Sequence, residues 1–360
     1  MIASLCRRML GAVAFSLLTT AVAAAATAPP PTSLVVFGDD FSDQGNSLAT
    51  SGYPLSPPYY HGRFSNGSGY VDDLASTFGL TVTNSRAGGE NYAYGAAVSG
   101  FGVYPLPPFP VNPPNVQQQA AQYLTRHGGR ASSTATFVIF AGGGGDANGF
   151  LLNVLTNPFV ILLYPSVIDT GTSNVASVVR EISRAGARHV VVLNLPNLAQ
   201  LPVVQHLTGL NGLIGPGLAK AFARSWNDAL AKKLSPYGGT TTIEDFYNVA
   251  NLLLAKAPSL GVTNVKDGCL SGFGFSKTVQ NSCAPGAESQ HAFYDQIHFT
   301  AIGYFGMAQG TACALGQPSI FGARSNCIVT PSNAARSGES TDLRTLRARV
   351  RADSRGRLAL

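Results

Sequence analysis

The sequence predicts a three-layer α/β/α fold with a central parallel sheet. Two observations carry this expectation. Residues 33–39, 134–141, 189–195 and 240–245 are short apolar, β-branched runs, the composition of strands buried on both faces. The segments between them carry helical spacing, and strands alternating with helices build parallel sheets covered on both sides.

The first run leads into VVFGDDFSDQGN, residues 35–46. A strand, a glycine and a group of small acidic residues make a tight strand-to-helix turn. Sheets of this kind bind ligands beyond the carboxyl ends of their strands, so this turn is the first place to look for a site. A weaker strand is expected near residues 80–84. Helices are expected over 115–127, 174–185 and 217–234. In the last, Leu218, Ala221, Phe222, Trp226 and Leu230 share one face. Residues 99–114, rich in Pro, Gly and aromatics, read as a long surface loop. Residues 159–164 (FVILLY) are too short to span a bilayer. They read as a buried helix or a substrate-facing segment.

The chain divides into three parts. Residues 1–26 read as a signal peptide, with Arg7 and Arg8 ahead of an apolar stretch and Ala24-Ala25-Ala26 as the cleavage site. An uncleaved anchor is the alternative; the small residues and the prolines that follow favour cleavage and a secreted or periplasmic protein. Residues 27–330 form one domain. Residues 331–360 form a basic tail, read as disordered, with a weak affinity for anionic surfaces.

Charge narrows the partners. The net charge is +6, and the signal's two arginines with the tail's seven, set against Glu339, Asp342 and Asp353, account for all of it. The domain therefore lacks the basic face that nucleic-acid binding needs. Cys6 leaves with the signal, so four cysteines remain: Cys269, Cys283, Cys313 and Cys327. An even count in an exported chain points to disulfides. Sequential pairing, Cys269–Cys283 and Cys313–Cys327, would close two short loops. Other pairings and metal ligation stay open, although the spacings lack the close pairs of zinc sites.

Asp295-Gln-Ile-His298 is the second chemical motif. An Asp three residues before a His can orient the imidazole through one nitrogen and leave the other as base. With this motif the sequence resembles the GDSL-type SGNH hydrolases, a family of esterases, lipases and acyltransferases, over about residues 33–314. The family's first block, F-G-D-S-x-S-D-x-G-N, stands here as Phe37-Gly38-Asp39-Asp40-Phe41-Ser42-Asp43-Gln44-Gly45-Asn46. Gly62-Arg63-Phe64-Ser65-Asn66-Gly67 is also family-like, as are Asn91-Tyr92-Ala93-Tyr94-Gly95-Ala96 and Gly186-Ala187-Arg188. FVIFAGGGGD, residues 137–146, lies where the family has G-x-N-D.

The resemblance implies a flavodoxin-like sheet and acyl transfer through a serine ester, on a small-molecule ester or lipid substrate, with no cofactor and no metal. Carried over, Asp295 and His298 match the acid–base pair. Gly95 or Ala96 would supply a backbone oxyanion donor. Asp40 stands at the nucleophile position, and Gly145 stands where the oxyanion Asn is expected. On that register, Asp40→Ser with Gly145→Asn should restore activity. Asp40 has other readings: an N-terminal anchor for the following helix, an aspartyl nucleophile, or part of a cation site with Asp39, Asp43 and His298. A carboxylate beside His298 should raise the imidazole pKa and spoil it as a base.

Overall fold

The computed structural model describes residues 30–104 and 112–330. The expected signal peptide, the tail and the middle of the 99–114 loop lie outside these residues.

Four parallel strands build the sheet: β1 (Leu34–Gly38), β2 (Thr136–Phe140), β3 (His189–Leu193) and β4 (Thr241–Glu244), in that order across it. Leu34 pairs with Thr136, Thr136 with His189, and Val190 with Thr241. β1 and β2 are buried along their whole length because helices cover both faces. This is the predicted architecture.

The weak strand expected near residues 80–84 is reduced to a single bridge, in which the Asn91 N–H donates to Thr83 O at 3.0 Å and the Ser85 N–H donates to Asn91 O at 2.7 Å; residues 90–92 stand between it and β1. The Val36 N–H donates to Glu90 O at 3.0 Å, and the Tyr92 N–H donates to Val36 O at 2.8 Å. The pairing ends at Asn84, which bridges Asn91 and also starts a turn. Its side chain accepts the Ala87 N–H and caps the short turn Ser85–Ala87. Such local side-chain bonding offers the backbone an alternative to a ladder.

The helices are α1 (Asn46–Ser51), α2 (Tyr70–Thr77), α3 (Val116–Arg126), α4 (Asn148–Thr156), α5 (Tyr164–Ala185), α6 (Pro202–Gln205), α7 (Gly209–Leu234), α8 (Phe246–Lys256) and α9 (Ala301–Ala314). α3 starts where the sequence predicts, on a capping box. Asn115 accepts the Gln118 N–H, and the Gln118 side chain accepts the Asn115 N–H. The expected helices 174–185 and 217–234 are the second portions of the longer α5 and α7, which pack on each other. At 1.5 Å per residue they run roughly 33 and 39 Å, about twice a five-residue strand. Each ends near the start of a strand, so each begins well beyond the strands' carboxyl ends.

Residues 158–163 form a 3₁₀ helix rather than a buried α-helix. Val160 is buried, but Phe159 and Leu162 face out. Proline at its start and a run of only six residues before α5 leave room for one short turn, whose opposite side has nothing to pack on.

The cysteines pair sequentially, Cys269–Cys283 and Cys313–Cys327, so no thiolate is left for a metal. The second bridge ties the end of α9 to Cys327, whose carbonyl accepts the Asp245 N–H. The first ties the strap of residues 268–272 to Cys283, while backbone hydrogen bonds hold the strap against residues 293–296. Each loop closure is worth about 3 kcal/mol by chain entropy. Cys313→Ala/Cys327→Ala should therefore lower the unfolding free energy by about that amount, read by chemical denaturation, and reductant should then add only the loss of the first bridge.

Candidate active site

Every residue from Leu34 to Ser47 is buried, so each polar group in the turn after β1 needs a partner. Asp43 takes four backbone donors. Its Oδ1 accepts Gly45 and Asn46 N–H at 2.8 Å each, and its Oδ2 accepts Ser47 N–H at 3.1 Å and Gly95 N–H at 3.0 Å. Asn46 Nδ2 donates to the carbonyls of Asn91 and Ala93, and Asn91 Nδ2 donates to Ser42 O. The turn and residues 91–95 are thus one unit. Asp43, not Asp40, anchors the start of α1, so the helix-anchor reading of Asp40 fails. Ser42 Oγ is bonded to Tyr70 Oη at 2.9 Å.

Asp40 instead meets His298. Its Oδ2 lies 3.0 Å from His298 Nε2, and His298 Nδ1 lies 2.7 Å from Asp295 Oδ2. None of the three is more than 2% exposed. Asp295 accepts three further bonds, from Ile297 N–H, His298 N–H and the Tyr59 hydroxyl at 2.6 Å. Burial opposes charge on His298, but Asp295 and Asp40 outweigh it and push its pKa up to about 10. At neutral pH the ring is an imidazolium between two carboxyl groups. Burial and the charge of Asp40 hold the neighbouring Asp39 well above the usual carboxylate range.

Local packing fixes this geometry. The Leu270 N–H donates to Tyr294 O, and the Gln296 N–H donates to Gly272 O. These bonds brace the Asp295 turn on the strap behind the first disulfide. A side chain on Gly268 would stand 2.3 Å from the Asp295 carbonyl, so only glycine allows the approach. Asn66 Oδ1 accepts the Ala301 N–H at the start of α9. The same short segment brings Phe64 to His298, at 5.0 Å between rings, while Phe41 approaches at 5.4 Å from the other element. Phe64 also packs with Ala96 and Phe275. Tyr59 and Phe275 were not singled out from the sequence; no local motif links Tyr59 to an Asp 236 positions away.

The oxyanion positions sort themselves by direction. The Gly95 N–H is used, donating to Asp43 and to Ser47 Oγ at 2.8 Å. Ala96 has φ of 61°, and among the described residues nothing accepts its N–H. Of the two backbone candidates, Ala96 alone keeps a free donor. Gly145 points away from the site: a Cβ there would lie 2.5 Å from Ala97 O. A Cβ on Gly144 would meet Asp40, at 2.2 Å from Oδ1. The position facing Asp40 is therefore 144, and the Gly145 register was off by one. The reason is a single π turn, Gly143–Ala147, which takes one extra residue between the strand and Asp146. Asp146 is fixed by Ser99, whose N–H and hydroxyl donate to it at 2.7 and 2.6 Å; burial still lifts its pKa to about 6. Asn148 faces neither Asp40 nor His298, and its amide donates to Gly144 O.

The cation reading also fails on geometry, because four N–H groups occupy the Asp43 oxygens. A cavity of about 790 Å³ lies alongside, lined by Ser47, Arg86, Tyr94, Gly95 and Arg126, but neither Asp40 nor His298 borders it. The chemistry belongs to the buried pair, not to this cavity.

Two outcomes follow from the charges. The His298 pKa is raised on folding, so its contribution to stability is complete below about 6.5 and is lost as pH climbs through about 10. Stability should fall by a few kcal/mol over that window. Asp40→Asn should flatten the fall and move the imidazole titration, followed by NMR, back toward its ordinary range. Tyr59→Phe should destabilise the fold by about 1–3 kcal/mol in thermal melts, since a buried carboxyl loses a donor.

The chain is similar to several known proteins. Phosphatidylcholine-sterol acyltransferase of Aeromonas hydrophila is 26% identical over 289 residues, covering 79% of each chain. Lipase 1 of Photorhabdus luminescens is 28% identical over 199 residues, 53% of this chain and 26% of that protein. GDSL esterase/lipase APG of Arabidopsis thaliana is 25% identical over 308 residues, 74% of this chain and 86% of that one. The GDSL-like Lipase/Acylhydrolase family matches residues 34–310, most of the described domain, and the chain belongs to that family.

Proposed function

We propose that this chain is a secreted protein of the carboxylic-ester hydrolase class, directed at lipid or other acyl esters, in which Asp40 blocks the serine-ester step. The single observation that carries this is the line Asp40–His298–Asp295, at 3.0 and 2.7 Å. It has the layout of nucleophile, base and orienting acid. The base and the acid are in place. The first member is a carboxylate, which has no hydroxyl to acylate, and the ion pair holds the base in its protonated form. Attack on an ester by Asp40 would form a mixed anhydride and expel the alcohol as alkoxide, exchanging a stable acyl bond for a far more reactive one. Export is supported by the signal-like N-terminus and the two disulfides.

A second reading is a non-catalytic relative that binds an acyl ligand. The upward shift of His298 to about 10 favours it, because a base that stays protonated suits binding better than turnover.

Short-chain p-nitrophenyl esters separate these readings. The unaltered protein should turn over no faster than His298→Ala. Asp40→Ser should release His298 from one carboxylate and give slow hydrolysis. Asp40→Ser/Gly144→Asn should add an oxyanion donor, worth about 10²–10³ in kcat. Hydrolysis by the unaltered protein that vanishes in Asp40→Ala would overturn the block at Asp40. An inert double variant that still folds and binds acyl ligands would favour the second reading. Gly145→Asn, in contrast, should cost about 2 kcal/mol or more, because its side chain meets backbone.

A further inference from the structure

We infer that reduction of the Cys269–Cys283 bridge opens a binding site for a thiophilic divalent cation of the zinc type, with Cys269, Cys283 and His291 as its ligands. Both sulfurs and a ring nitrogen of His291 lie within 4.8 Å of one another. Cys269 directly follows β5 (Asn264–Gly268), and His291 opens β6 (His291–Phe293), which runs parallel to it. A carbonyl can only accept, so the His291 Nδ1–H donates to Asp267 O at 3.1 Å. That bond keeps the lone pair of the ring on Nε2, and it is the kind of outer bond that orients metal-binding imidazoles. The Asp267 carboxylate is not a fourth ligand, because His206 and Asn264 hold its two oxygens.

The backbone keeps these groups together without help from the bridge. The Ser282 N–H donates to Cys269 O at 2.7 Å, its hydroxyl donates to Gly268 O at 2.9 Å, and the Ser271 N–H donates to Gln280 O at 2.9 Å. The Cys269 N–H donates to Phe293 O at 3.3 Å, so Cys269 is also held to the strand that His291 opens. Bonds of about 2.3 Å to sulfur and about 2.1 Å to nitrogen hold the sulfurs of a tetrahedral zinc site about 3.8 Å apart. The two sulfurs have only to part from bonding distance to that separation. Cys283 is partly exposed and admits an external dithiol, whereas Cys313 and Cys327 are fully buried, so the first bridge opens first. A thiolate of the dithiol attacks one sulfur, and the other leaves and is protonated. The second thiol of the reductant then closes its own disulfide and frees the attacked sulfur. Two electrons pass to the protein, and two Cys–SH groups result. The cation displaces their two protons and takes the imidazole as third ligand, with one position open to water. It replaces the covalent tie of the strap that braces the Asp295 turn.

The test reduces the mature protein with dithiothreitol, removes the reductant by anaerobic desalting, and titrates Co²⁺ as a coloured stand-in for zinc, then Zn²⁺ alone. One ion should bind per chain, with the absorption of thiolate-bound cobalt. Zn²⁺ should raise the melting temperature of the reduced protein and leave that of the bridged protein unchanged. His291→Ala, at a partly exposed position, should weaken Co²⁺ binding by about tenfold or more, no less than the loss of an outer-shell partner costs. Cys269→Ser/Cys283→Ser should bind none and should melt with the reduced, ion-free protein. Cys313→Ala/Cys327→Ala should bind as the unaltered chain does. Four results would overturn the inference: equal binding by the bridged protein, unchanged affinity and spectrum in His291→Ala, loss of binding in Cys313→Ala/Cys327→Ala, or unfolding on reduction that Zn²⁺ does not reverse. The second of these would mean two thiols catching an adventitious ion only. No readout depends on ester turnover, so the outcome is independent of the hydrolase reading.

Discussion

A polar turn buried without solvent must satisfy itself, and this constraint organises the molecule. The turn after β1 is closed from water from Leu34 to Ser47. Its acidic and amide side chains therefore reach outward for partners. Asp43 and Asn46 fasten residues 91–95, Gln44 reaches Asp72, and Asp39 reaches the Gly144 N–H. One short segment thereby fixes the edge of the sheet, the approach of α2 and the glycine turn after β2. Most of the polar letters in VVFGDDFSDQGN serve this fastening. Asp40 instead faces His298.

The same burial sets the charge of the centre. A carboxylate in this setting is stable only beside a cation, and His298 is the cation within reach. Asp295 holds the other side of the ring and is itself held by three donors besides the ring. The result is an ion triad inside an aromatic box, where Phe41 and Phe64 flank the imidazolium. Both carboxyl groups favour the protonated form of the ring.

The sheet, the long helices and the presence of disulfides were legible because each rests on a local pattern, while the pairing of the four cysteines stayed open until the fold was known. Strand composition, helical spacing and short cysteine intervals need only nearby residues. The edge beside β1 was only partly legible: residues 83–85 do bridge Asn91, but Asn84 caps the turn Ser85–Ala87 and the pairing ends there. Asp295 and His298 were legible from a three-residue spacing. Tyr59 was not, since only the folded chain brings it to Asp295. Gly145 was read in place of Gly144 for a related reason. Four identical glycines offer no register, and the extra residue is absorbed by a π turn that no letter announces.

That turn has a consequence for how the centre could have arisen and how it could revert. The Asp40 carboxylate fills the space into which a side chain at 144 would project. The two positions therefore behave as one character with two states. With Asp at 40, glycine is the only comfortable occupant of 144; with a small residue at 40, the space reopens. Mutational paths between the states are ordered, because position 40 has to change before position 144 can. A return from Asp40 therefore runs through position 40 first and position 144 second, an order imposed by a few ångströms of shared volume.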